Sequence, residues 1–67
     1  MFEHLSLVRM KTEFLNIDKD FVVIDVVEAA EIGLVVSKRE INGQDYYTLL
    51  IRGKIVDGVT DLGLENI

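Results

Sequence analysis

The chain has no cysteine, no proline, one histidine and two serines among 67 residues. Without cysteine, no disulfide can reinforce the fold, and no thiol can serve as nucleophile or soft metal ligand; a reducing compartment fits this. His4 lies near a terminus, and Ser6 and Ser37 are the only serines, so a nucleophile, a base and an orienting group are hard to assemble. No catalytic residue is assigned, and the chain is not read as an enzyme. No apolar run approaches the roughly 18–20 residues that cross a bilayer. Met1-Phe2-Glu3-His4 shows no basic stretch ahead of an apolar core. The expectation is a soluble, cytoplasmic protein without membrane contact. With no linker and no internal repeat, residues 1–67 are read as a single domain.

What is present is an excess of apolar residues. They make up 49% of the chain, and the mean hydropathy is +0.28. A domain this small buries only roughly 60% of its unfolded surface. Some valine, isoleucine and leucine side chains must then form a patch on the outside, and such patches mark interfaces. A homo-oligomer is expected on these grounds. The net charge of −5 opposes general binding of polyphosphates. Residues 34–56 nevertheless carry +2 through Lys38, Arg39, Arg52 and Lys54, a segregation read first as a charge-complementary subunit contact.

The periodicities indicate strands. Val8 to Phe14 alternates apolar or threonine with charge, the period of a strand with one wet face. Leu5 and Leu7 fall out of phase, so either a bulge lies near Leu7-Val8 or residues 1–7 form a short helix. A helical spacing through Leu7, Met10, Phe14 and Ile17 is the competing reading. Asn16 to Asp20 reads as a polar turn. Phe21 to Val27 reads as a strand covered on both faces, interrupted only by Asp25. Asp25 with Glu28 has capping-box spacing, but Glu28 to Glu31 is read as a turn.

Leu34–Ile41 and Gln44–Ile51 flank Asn42-Gly43, the strongest short-range hairpin signal. A two-residue loop predicts Lys38 opposite Tyr47, Val36 opposite Leu49 and Leu34 opposite Ile51. It also sets Glu40 against Asp45, a like-charge pair that would loosen the turn. A further strand begins at Lys54, and residues 61–67 form either an edge strand on a neighbour or a frayed end.

Two patterns in the sequence bear on chemistry. Asn16, Asp18 and Asp20 have the spacing that opens a calcium loop, but Phe21 stands where glycine is needed and Val27 where a bidentate acid belongs. A solvated turn explains the same residues, and no metal or other cofactor is assigned. Tyr46 and Tyr47 lie among cations, as aromatic residues do where single-stranded bases stack. The alternative is a core Tyr47 with Tyr46 laid against Arg39.

Ile51-Arg52-Gly53-Lys54-Ile55-Val56-Asp57-Gly58-Val59 resembles the second signature of the Sm-like family. Ile24 to Ile32 is similar to that family's third strand and acidic exit, and the resemblance covers residues 21–59. It implies an all-β fold, a small and strongly bent five-stranded antiparallel barrel of Sm-like or SH3-like form, with a short N-terminal helix in some versions. It also implies ring closure through edge strands and binding of single-stranded RNA. The RNA-binding residues carried over are Arg52 with Gly53, Phe21 at the stacking position, and Lys54. The family's first signature lacks a counterpart, since Val23 stands at its asparagine position. The reading is therefore an Sm-like homo-oligomeric ring that binds single-stranded RNA. The alternative is a small acidic protein-interaction or inhibitor module without nucleic-acid binding.

Overall fold

The fold is given by a computed structural model that describes residues 2–67. It is all-β, with strands β1 (Leu7–Met10), β2 (Phe14–Ile17), β3 (Val23–Val27), β4 (Ile32–Ile41), β5 (Gln44–Ile51), β6 (Lys54–Thr60) and β7 (Leu64–Asn66). A 3-10 turn at Asp61–Gly63 joins β6 to β7. Five strands form one antiparallel sheet in the order β6-β5-β4-β1-β7, and β2 and β3 form a separate hairpin. Their inner faces share one core of Phe2, Val8, Met10, Val27, Val35, Tyr47, Leu49, Ile51, Val56, Val59 and Leu64, with Phe14 packed against it.

Two glycine corners organise the large sheet. Asn42-Gly43 has φ of 52° and 82°, and Arg52-Gly53 has 54° and 75°. Positive φ at both central positions is the type I′ geometry that matches strand twist. The Asn-Gly turn keeps this tight form despite Glu40 standing opposite Asp45. The expected register holds from Ile41↔Gln44 to Ser37↔Thr48, then slips. Val36 is an extra residue on β4, so Val35 faces Leu49 and Leu34 faces Leu50. That bulge turns Val35 and Leu49 into the core together, where the unbroken register would have separated them.

Several expectations are corrected. The strand predicted over residues 8–14 ends at Met10, because the chain bends at Lys11 and Thr12 before re-entering as β2. No N-terminal helix forms among the described residues. The Leu5 N–H instead donates to the Val35 carbonyl (2.7 Å), and the Val35 N–H donates to Ser6 (2.9 Å), so residues 5–6 are drawn onto β4. Residues 64–66 dock on β1 of their own chain, not on a neighbour.

The largest correction concerns β3. Only Val27 is buried, and Val22, Val23, Ile24 and Val26 are exposed. One face of β3 is covered by the domain and the other by nothing among the described residues.

Candidate functional site

Arg52 sits at the β5–β6 corner with a left-handed backbone, which costs a non-glycine residue on the order of 1 kcal/mol. Its guanidinium reaches back to the far end of β3. Nη2 donates to Asp25 Oδ2 (3.1 Å), to the Val26 carbonyl (3.3 Å) and to Glu31 Oε2 (3.4 Å), and Nε donates to Glu31 Oε1. The second Glu31 oxygen also accepts the Glu28 N–H at 2.7 Å. Lys54 Nζ stands 3.8 Å from Asp25 Oδ1. Asp25 points to the inner side of the hairpin with its side chain only 13% exposed. One guanidinium is therefore shared by two carboxylates and a carbonyl, and its strongest donors are already engaged.

The sequence-selected residues Arg52, Gly53 and Lys54 thus lie together, but Phe21 does not join them. Phe21 is in the β2–β3 turn with φ of 61° and 87% exposure. It stands four residues before Asp25, on the order of 10 Å along an extended chain. The turn itself is closed by Asp18, whose Oδ1 accepts the N–H groups of Asp20 (2.8 Å) and Val22 (3.0 Å). Asn16 faces the interior and donates to the Ile55 carbonyl at 3.1 Å. The spacing that suggested a calcium loop therefore serves a turn and a tie to β6. Sequence reasoning missed Asp25, Glu31 and Asn16. The one available signal was Asp25 as the single acid in an apolar run.

Hydrogen bonds to cations and amides shift the acidity of two carboxylates. Glu31 is held below the usual carboxyl value of 4.5, first by the Glu28 amide and then by the Arg52 hydrogen bond. Asp57 is held low by Arg39 Nη1, which donates to its Oδ1 at 2.7 Å, and by the Thr48 hydroxyl at 2.8 Å. Because these folded-state values are depressed, the stabilisation is fully present above the unfolded carboxyl pKa and is lost as pH falls through the folded one. Urea unfolding from pH 6 down to about pH 3 is expected to show falling stability, with a shallower acid slope in Glu31→Gln. An unchanged slope in that variant would remove Glu31 from the acid response.

The outer surface is apolar. Leu7↔Leu34↔Leu50↔Ile55 are successive cross-strand partners over β1, β4, β5 and β6, and laterally paired residues share a face. Leu7, Leu50 and Ile55 are exposed. The Asn16–Ile55 bond brings β2 beside β6. The hairpin continues the apolar surface with Leu15, Ile17 and Val26, and a bulge sets both Val23 and Ile24 near Ile17. Arg9 pairs with Glu65 and Arg39 with Asp57 on the strands of the large sheet, and at the β5–β6 corner Arg52 pairs with Asp25 and Glu31 and Lys54 with Asp25. Elsewhere, a shallow groove of about 280 Å³ is lined by Met10, Thr12, Phe14, Val59 and Leu62 with two glycines and Thr60. No helix among the described residues is long and apolar enough to cross a membrane.

Comparison with known proteins gives no match: no family model, curated protein or solved structure aligns with this chain.

Proposed function

We propose that this protein is a small interaction module that presents an apolar sheet surface to another protein, with neither catalysis nor nucleic-acid recognition as its task. The observation that carries this reading is the outer face. Eight exposed large apolar side chains cross it, whereas the cations nearest to it are each already paired with a carboxylate. A phosphate approaching Arg52 would have to displace Asp25 and Glu31, in a chain of net charge −5. The Asn16–Ile55 tie brings the hairpin beside β6, so its exposed apolar residues extend the surface offered by the large sheet.

The Sm-like reading, an oligomeric ring contacting single-stranded RNA, keeps one favourable observation. Phe21 offers an almost fully exposed ring, the kind of platform on which a base stacks. Fluorescence polarisation with labelled oligo-U and oligo-A at low salt separates the two. The expected result is no salt-sensitive binding at protein concentrations up to about 100 µM. Salt-sensitive binding that is lost in Phe21→Ala or Arg52→Ala would overturn the module reading in favour of RNA.

A further inference from the structure

We infer that the outer apolar face is closed by a second copy of the same chain, stacked sheet against sheet. This rests on the interaction-module reading and names its partner. Three features argue for a copy over a different protein.

The first is area. From their fractional exposures, Leu7, Leu50 and Ile55 with the five outward residues of the β2–β3 hairpin present roughly 700 Å² of apolar surface, against about 800 Å² per partner in a standard interface. This exceeds the few hundred Å² that a monomer ordinarily leaves open. One symmetric contact of this face with itself covers eight of the fifteen large apolar side chains exposed among the described residues of each chain.

The second is charge. The ion pairs join Arg9, Arg39, Arg52 and Lys54 to Glu65, Asp57, Asp25 and Glu31, so these groups are together neutral although the chain carries −5. The chain's excess acid is placed elsewhere, so two copies meet through the part of the surface where like charge does not repel. A basic or acidic partner would select for a border of one sign. A self-complementary contact favours a balanced one.

The third is shape. An apolar centre with a polar border is the anatomy of a protein interface. The eight residues here are leucine, isoleucine and valine side chains on strand surfaces. Sheets stack face to face at about 10 Å with such side chains interleaved.

Sedimentation equilibrium between about 5 µM and 500 µM tests this. The wild type is expected to reach twice its 7.6 kDa chain mass. Ile24→Lys and Ile55→Glu change exposed side chains and leave the core intact, so both are expected to keep the circular-dichroism spectrum. Each is expected to weaken self-association at least ~30-fold. Leu62→Lys, in the groove on the other side of β6, is expected to dimerise as wild type does. A wild type that stays monomeric through this range overturns the self-pairing. So does a larger assembly, or a dimer disrupted by Leu62→Lys and untouched by the two face variants. The oligonucleotide titration above is a separate measurement, so a monomer that binds no RNA removes the pairing while leaving the module reading standing.

Discussion

Tyr47→Ala is expected to leave this protein largely unfolded at physiological temperature. Tyr47 is fully buried in the middle of β5, between the two glycine corners, and Phe2 meets its ring edge-on at 5.5 Å between centroids. Replacing a buried aromatic ring by alanine costs about 3–5 kcal/mol in lost contacts and residual cavity. A small domain holds only about 5–15 kcal/mol in total, with chains of this size near the lower end. Tyr47→Phe separates volume from polarity. It keeps the ring but removes the oxygen that accepts the Phe2 N–H at 3.2 Å, so a loss of about 1 kcal/mol is expected. Urea unfolding of both variants measures the difference. If Tyr47→Ala falls within about 1 kcal/mol of wild type, the core is not centred on this ring.

The second large effect is expected at Gly33, where the direction of the change is itself informative. Gly33 is inside β4, and its backbone is not left-handed, so a glycine here is not required by φ. On conformational entropy alone, alanine would stabilise the strand by roughly 0.5–1 kcal/mol. The surroundings reverse that sign. An added Cβ would come 2.7 Å from Ile51 Cγ1, 3.2 Å from its Cδ1 and 3.4 Å from the Leu50 carbonyl oxygen. Ile51 is itself buried in the core, and its Cγ1 is the inner part of the side chain, which cannot swing aside. Gly33→Ala is therefore expected to cost about 1–3 kcal/mol, the usual penalty of overpacking, and Gly33→Val to prevent folding. A double-mutant cycle identifies the cause: in an Ile51→Ala background, Gly33→Ala is expected to be harmless. If it remained as costly there as in the wild type, the clash with Ile51 would not be the reason.

Neither residue carried its role openly in the sequence. Tyr47 was one of two adjacent tyrosines, and the hairpin register correctly paired it with Lys38. Its opposition to Phe2 spans 45 residues and left no local mark. The β4–β5 hairpin and the Arg52 corner were readable because Asn-Gly and Arg-Gly specify the backbone locally. The bulge at Val36 was not, since it lacks glycine and interrupts an apolar run that looks alike in either register. The bend at Lys11 and Thr12 was hidden for a related reason. The chain carries no proline, and the alternation of polar residues continues through the bend. The β3 run was misread because periodicity reports that both faces are apolar, not what covers them. A strand sheltered inside its own domain and one awaiting a partner have the same pattern. As for the candidate site, its cation was legible and its partners were not, because Glu31 and Asp25 lie 21 and 27 residues away from Arg52.

The seam between hairpin and sheet depends on the Asn16 amide and the Ile55 carbonyl, two groups that stay neutral at every physiological acidity. The Arg52–Glu31 and Arg39–Asp57 pairs depend on carboxylates, which do not. Strong acid therefore acts unequally on the molecule: it discharges Glu31 and Asp57, while the amide-to-carbonyl tie between the two halves keeps its hydrogen bond.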